Sequence, residues 1–341
     1  MRQLLTWVFA ALLAGAAQAS DAPPIALPAA MEGMRTVQPL DEPFNKVVNY
    51  ESDGEVISLY LFRPTHPNAA LWFERAEAIL TTLWKERGLG EGGETRRLSV
   101  VGSSVPNALA RSFSVSGDYK STGLAVAQIG NWLVKVRSSS RTLDRDAQLA
   151  RMEQVLATIA APSGVRPANP LTLPEPCPPA AADATFKMLL NSEAIDKPNP
   201  ETMLAAGAVL LTGAQQMAGG EGSLAAAPDS YCRAELPGIG PAAALYRRKN
   251  DAGGEWTALL ADSGTSVSGL KTVIFDRKKT KDGGMITANG LDKTRAVLFA
   301  QGIPAPEAGF MPAARLIVAG SKEGYVAVAY GTQNIEVALP K

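Results

Sequence analysis

A proline-rich stretch divides this chain into two halves and limits the folds that it can adopt. Seven of the 24 prolines lie within residues 161–182, at positions 162, 167, 170, 174, 176, 178 and 179. Proline lacks a backbone N–H and has a fixed φ, so such a run neither continues a helix nor joins the centre of a sheet. We therefore expect residues 44–160 and 183–341 to form separate domains, joined by a semi-rigid linker over 161–182.

Both halves combine segments typical of strands with segments typical of helices. In the first half, strands are predicted at 44–50, 55–63, 98–102, 108–116, 122–128 and 131–138, with helices over 68–87 and from Thr142 onward. In the second half, helices are predicted near 183–194, 200–217 and 291–301, and strands at 230–236, 241–249, 255–262, 267–276, 312–319 and 324–330. This order predicts an α+β protein of two domains, each a mainly antiparallel sheet packed with helices.

The first 19 residues have the pattern of a secretory signal peptide. Arg2 supplies the positive end, residues 4–13 form a short apolar core, and Ala17 and Ala19 form a small-residue cleavage site. We expect cleavage near Ala19 and a mature protein in the periplasm or outside the cell, with no membrane span. Residues 20–43, which are rich in alanine and proline, are predicted to be an extended arm.

Cys177 and Cys232 are the only cysteines of the chain. In an exported protein, two cysteines are most simply explained by one disulfide. The spacing does not match the C-x-x-C motif of a redox-active pair. We therefore predict a structural Cys177–Cys232 bridge that ties the end of the linker to the second domain.

The charge balance and the scarcity of histidine narrow the range of functions. The chain has 33 basic and 33 acidic residues, and removal of Arg2 with the leader gives a net charge of about −1. This balance argues against nucleic acid as a partner. His66 is the single histidine and lies between Pro64 and Pro67, which predicts a solvated turn residue. We accordingly predict no cofactor and no metal site, and we assign no catalytic residue.

Two short motifs match known functional patterns in letters but not in context. Residues 88–93 read G-x-G-x-x-G but follow a helix and precede a strand, the reverse of a dinucleotide site. Ser268 and Lys271 match S-x-x-K but lie in a segment typical of strands, without the companion motifs of penicillin-recognising enzymes. We interpret residues 88–93 as a connector and the S-x-x-K match as coincidence.

The strongest positive signal is a polar face on the sheet of the first half. The alternation in residues 132–137 places Lys135 and Arg137 opposite the apolar Val134 and Val136. If Tyr60 of the neighbouring segment lies on the same side, this cationic, aromatic face suits an anionic ligand. We predict Tyr60, Lys135 and Arg137 as ligand-binding residues, with an ordinary solvated sheet face as the other interpretation.

Three segments of the first half carry a resemblance to known proteins. Residues 58–63 (Ser-Leu-Tyr-Leu-Phe-Arg), 119–123 (Tyr-Lys-Ser-Thr-Gly) and 132–137 (Trp-Leu-Val-Lys-Val-Arg) resemble segments of exported proteobacterial proteins of unknown function. The order of elements in 44–160 is similar to that of PsbP- and Mog1-like α/β sandwiches. The resemblance implies a binding or assembly role and brings no catalytic residues.

Two functions of different classes follow from these observations. The first is a non-catalytic periplasmic binding or envelope-assembly protein, whose partner is an anionic small molecule or an envelope component. The alternative is a hydrolase that acts on glycan or peptidoglycan with a carboxylate pair drawn from Glu51, Asp53, Glu55 and Asp118, since glycoside hydrolysis needs only two suitably spaced carboxyls.

Overall fold

The first half of the chain forms one antiparallel sheet of eight strands. A computed structural model describes residues 25–64, 66–100, 103–160, 171–178, 187–190, 231–235, 243–249, 254–262, 264–276, 279–291, 293–303, 305–306, 309–311, 313–314, 325–329 and 335–338. The first sheet has the order β1-β2-β3-β8-β7-β6-β4, and β5 also pairs with β6. Its strands are β1 (Arg35–Glu42), β2 (Asn45–Glu51), β3 (Glu55–Phe62), β4 (Leu89–Gly92), β5 (Arg96–Leu98), β6 (Ala108–Val115), β7 (Ser121–Ile129) and β8 (Trp132–Ser140).

Two helices cover opposite faces of this sheet. Helix α1 (Ala69–Lys85) begins where the Asn68 side chain accepts hydrogen bonds from the backbone N–H groups of Ala70 and Leu71. Helix α2 (Arg145–Ala157) begins at Asp144, which caps the backbone N–H of Ala147. Such caps satisfy donors that the first turn leaves without an intrahelical partner. Both helices occupy segments where the sequence predicts them.

The two sheet faces bury different side chains. Alternate β3 residues Ile57, Leu59 and Leu61 join a core with the apolar face of α2. On the other face, Phe62 belongs to a core that contains the first turns of α1 and also residues of the second half, among them Tyr246. The sequence suggested one face packed by helices and one polar face open to solvent. Instead, α1 and the second half of the chain cover the polar face.

The second half forms a sheet of ten strands in the order β18-β17-β16-β15-β14-β13-β12-β11-β9, with β10 pairing with β16. All pairs are antiparallel except that of β9 with β11. Its strands are β9 (Glu175–Pro176), β10 (Lys187–Leu190), β11 (Tyr231–Ala234), β12 (Ala243–Arg248), β13 (Trp256–Leu260), β14 (Thr265–Asp276), β15 (Lys279–Asn289), β16 (Lys293–Gln301), β17 (Tyr325–Ala329) and β18 (Ile335–Ala338).

The prediction of an α+β protein with helix-packed sheets in both halves is wrong, because the described part of the chain is mostly β. The helix expected near 291–301 is strand β16, which pairs with both β15 and β17. Residues 187–190, inside the helix expected near 183–194, form β10. Short apolar runs support either structure, and here pairing with neighbouring strands decides between them. The helix expected at 200–217 lies outside the described residues.

Part of the segment expected to be an extended arm, residues 35–42, is strand β1 and pairs with β2. The segment before it is also anchored to the first half of the chain. Ile25 lies in the core with α2, and Ala26 forms a β-bridge with Ala160. The Tyr50 hydroxyl donates a hydrogen bond to the carbonyl of Pro28. The first sheet therefore begins earlier in the chain than the apolar pattern indicates.

The glycines of the G-x-G-x-x-G segment have a packing role. Residues 89–92 form β4, which pairs with β6. A Cβ on Gly88 would lie 2.2 Å from Ser116 Oγ, and one on Gly90 would lie 2.6 Å from Ser114 Oγ. Gly88 also has a φ of +81°, which favours glycine as the chain leaves α1. These glycines let the connector lie close against β6.

The predicted disulfide between Cys177 and Cys232 is confirmed. It joins the end of β9 to β11, and the Cys177 N–H also donates to the Arg233 carbonyl at 2.7 Å. Within the described residues, no helix is long and apolar enough to cross a membrane.

Candidate functional site

The three predicted ligand-binding residues lie together on one face of the first sheet. Tyr60 on β3 is directly opposite Lys135 on β8, and Arg137 pairs with Ser58 two positions further along. The Lys135 ammonium nitrogen lies 4.1 Å from the centroid of the Tyr60 ring, which is a cation–π distance. The period-2 alternation of neighbouring strands accounts for this placement.

This face is occupied by a turn of the second sheet. Asp262, in the turn between β13 and β14, forms an ion pair of 2.9 Å between its Oδ2 and the Lys135 ammonium. Lys135 also donates to the Asp262 backbone carbonyl at 2.7 Å, and Arg137 forms an ion pair with the same carboxylate. Lys135 is only 3% exposed. The cationic face therefore binds an anion that the chain itself supplies.

Burial and charge act in opposite directions on these groups. The pKa of Lys135 is lowered to about 8, mainly because the ammonium is buried; the Asp262 carboxylate opposes this change, and the nearby Arg137 adds to it. Burial alone would raise the pKa of Asp262, but Lys135 and Arg137 together hold it below its ordinary value. Both Lys135 and Asp262 remain charged at neutral pH, since 7 lies below the first pKa and above the second.

The turn that carries Asp262 has a constrained backbone. Ala261 has a φ of 45°, in the left-handed region that non-glycine residues rarely adopt. Its carbonyl accepts a hydrogen bond of 2.8 Å from Arg75 Nε on α1, which holds this conformation. A Cβ on Gly264 would lie 2.9 Å from the Phe62 ring of the first sheet. Glycine at this position therefore permits the close approach of the two sheets.

Sequence reasoning missed Asp262. Residues 261–264 (Ala-Asp-Ser-Gly) have the composition of an ordinary exposed turn, and the neighbouring β13 and β14 segments were predicted as strands. Nothing local to this turn indicates that it contacts residues more than a hundred positions earlier. The only available signal was Lys135, a cation in the middle of a strand, which needs a partner if it is buried.

His66 belongs to a second contact between the two halves and is not a solvated turn residue. It is 5% exposed, and its Nε2 lies 2.9 Å from the hydroxyl of Ser268 on β14. The same hydroxyl lies 2.9 Å from Thr257 Oγ1 and accepts a hydrogen bond of 3.2 Å from Asn289. Four side chains thus form one buried polar cluster.

The environment of this cluster fits a structural role. A histidine beside a serine hydroxyl has the contact of a base and a nucleophile. However, Ser268 is fully buried within the sheet, and two further polar side chains surround its hydroxyl. Burial, and after it the charge of Arg248, lowers the pKa of His66 to about 4. His66 is therefore neutral at pH 7 and joins the loop before α1 to the second sheet.

The carboxyls considered for hydrolysis lie in ion pairs or in exposed turns. Glu51 forms an ion pair with Arg35, and Glu55 forms one with Arg151, each at 3.1 Å. Asp53 and Asp118 lie in exposed turns.

One carboxyl that the sequence did not single out has a perturbed pKa. Burial raises the pKa of Glu74 on α1, and the nearby Arg233 opposes this change. Glu74 Oε1 accepts from Arg233 at 2.8 Å and so connects α1 to β11. Its neighbour Glu77, one turn later, is held by Arg111 at 2.6 Å. Both carboxylates are therefore in ion pairs, and the first of them is a third link between the two halves.

Comparison with known proteins identifies no relative. No protein-family model, curated protein or solved structure matches this chain. Among the described residues, no group of three or more His, Cys, Asp or Glu side chains could hold a metal ion. The functional interpretation therefore depends on the residues of this chain alone.

Proposed function

We propose that the mature chain is a non-catalytic binding or envelope-assembly protein that acts in the periplasm or outside the cell, with an anionic small molecule or envelope component as its partner. The leader-like residues 1–19 support export, and the Cys177–Cys232 disulfide is consistent with an oxidising compartment.

The observation that carries this proposal is that the most reactive side chains of the chain are engaged in contacts within its own fold. His66, Lys135 and Arg137, the groups best suited to catalysis or to anion binding, all contact side chains of the second sheet. These contacts hold the two sheets in one relative position. A body fixed in this way loses little conformational entropy when it binds, which favours a role based on its surface.

That Tyr60, Lys135 and Arg137 bind a ligand stays a prediction, and it requires a change in the contact between the sheets. A ligand anion reaches Lys135 only if the Asp262 carboxylate leaves, because that carboxylate already lies 2.9 Å from the ammonium. A ligand carboxylate or phosphate would have to replace two ion pairs and restore the lost contact between the sheets.

The test is native mass spectrometry of the protein purified from the periplasm of its own host. We expect a mature chain that begins near Ser20 and carries a bound molecule or protein. Two results would overturn the proposal. One is a chain that carries no bound species in this measurement. The other comes from a separate assay on peptidoglycan, in which the wild-type protein releases fragments and the Glu55→Gln variant does not.

A further inference from the structure

Four side chains from three separate parts of the first domain form a continuous row at its surface. The Arg87 guanidinium carbon lies 5.9 Å from the centroid of the Trp84 ring, and that of Arg141 lies 5.4 Å from the centroid of the Tyr119 ring. Between them, the rings of Trp84 and Tyr119 meet edge to face with centroids 5.5 Å apart. We refer to Arg87, Trp84, Tyr119 and Arg141 as the cation–aromatic row.

Backbone hydrogen bonds hold the parts of this row together. After α1, the Gly88 carbonyl accepts from the Ser116 N–H at 2.9 Å, which brings the end of the helix to the turn that carries Tyr119. In the same turn, the Lys120 N–H donates to the Ser140 carbonyl at 2.8 Å, which brings Arg141 beside it. The positions of the four side chains are therefore set by the fold and not by a loose loop.

Neither arginine of the row has a carboxylate partner among the described residues. Both are exposed. By contrast, the other arginines that do pair with a nearby Asp or Glu in this part of the chain are Arg35, Arg96, Arg111, Arg137, Arg145, Arg151, Arg233 and Arg248.

The local charge around the row is positive. The exposed Lys85 and Lys120 adjoin it in sequence, and the exposed Glu86 and Asp118 offset only part of this charge. Stacking on an aromatic ring leaves the N–H edge of a guanidinium free to bind an anion. Each guanidinium of the row already lies over a ring, and this contact lowers the side-chain entropy that is lost when an anion binds.

We propose that the cation–aromatic row is a docking surface for an acidic segment of a partner protein. This inference deepens the proposed function and rests on it. Tryptophan, tyrosine and arginine are the residues enriched at energetic centres of protein–protein interfaces. An acidic polysaccharide fits less well, because a guanidinium covers one face of each ring and the rings meet edge to face, which leaves little aromatic surface for a sugar.

The test uses poly-L-glutamate as the acidic polypeptide and polygalacturonate as the acidic polysaccharide. Binding of each polymer to the mature protein is measured by calorimetry in low salt. The double variant Arg87→Ala/Arg141→Ala is compared with Arg35→Ala/Arg97→Ala, which removes the same charge from two exposed sites outside the row. Urea unfolding of both variants checks that they are folded.

We expect the row variant to bind poly-L-glutamate about tenfold more weakly than wild type, and the control variant to bind it within about twofold. An equal loss of poly-L-glutamate affinity in both variants would show that binding depends only on net charge and would overturn the proposal. Absence of poly-L-glutamate binding, or tighter row-dependent binding of polygalacturonate, would also overturn it. A bound species in native mass spectrometry that survives Arg87→Ala/Arg141→Ala would retain the binding function and reject only this surface.

Discussion

Replacing Asp262 by asparagine removes a carboxylate from the contact between the two sheets with almost no change in shape. Lys135 then keeps its hydrogen bond to the residue 262 carbonyl but loses its ion pair, and Arg137 loses its described carboxylate partner. Because Lys135 is 3% exposed, water cannot replace the missing charge. We expect Asp262→Asn to destabilise the folded protein.

The size of the effect follows from the groups that remain. Removing one partner from a buried ion pair costs about 3–5 kcal/mol. Lys135 limits this cost because its pKa is already about 8, and at pH 7 a further fall of one unit, worth about 1.4 kcal/mol, lets it lose its proton. Arg137 also loses its ion pair, but its side chain is 23% exposed and is therefore partly hydrated. Together these terms give a loss of about 2–3 kcal/mol.

The assay is equilibrium urea unfolding followed by tryptophan fluorescence, at pH 7 and at pH 9.5. The folded-state pKa of Lys135 lies below its unfolded value of 10.5, so its charge costs stability at pH 7, and this cost disappears as pH rises through the window from about 8 to 10.5. In Asp262→Asn that window begins at a lower pH. The difference from wild type should therefore be smaller at pH 9.5 than at pH 7.

Two further variants sharpen this test. Asp53→Asn, which removes a carboxylate from an exposed turn, should change the free energy of unfolding by less than about 0.5 kcal/mol. Lys135→Met combined with Asp262→Asn should be more stable than Asp262→Asn alone, because no buried ammonium remains. The reasoning is refuted if Asp262→Asn unfolds like wild type, or if its deficit is the same at both pH values.

The remaining predictions concern the single histidine and the disulfide. The pKa of His66 is about 4 in the folded state and 6.5 for an unperturbed histidine. The free energy of unfolding should therefore fall by about 3 kcal/mol as the pH decreases from 6.5 to 4. His66→Asn should show a smaller decrease over that range in urea unfolding, and an unchanged slope would contradict the assignment. The Cys177–Cys232 bridge spans 55 positions, and its loss in a double serine variant should cost about 4 kcal/mol. Dithiothreitol should destabilise wild type by a similar amount and leave that variant unaffected; equal midpoints for both proteins without reductant would count against the prediction.

Local pattern was sufficient for most elements of the first half of the chain. The sequence pattern predicted α1 over 68–87, and alternation predicted β3 and β8 and put Lys135 and Arg137 on one face of their strand. It was insufficient where the same residues suit two structures. The segment 293–301 satisfies a helical pattern locally but forms β16, because strands on both sides offer it hydrogen bonds.

The sequence by itself predicted the single disulfide, the alternation that puts Lys135 and Arg137 on one face of their strand, and the segments in which both helices lie. The alternation and the helix positions depend on residue type and on spacing within one segment, and the pairing follows from the presence of only two cysteines in the chain. Only the tertiary structure decided that the cationic face is covered, because its partner Asp262 lies 127 positions from Lys135 in the chain. The same holds for His66, which local turn residues predict to be solvated and which Ser268 instead holds in a buried contact. Burial is a property of the whole fold: it depends on which distant surfaces meet, and local spacing carries no information about that.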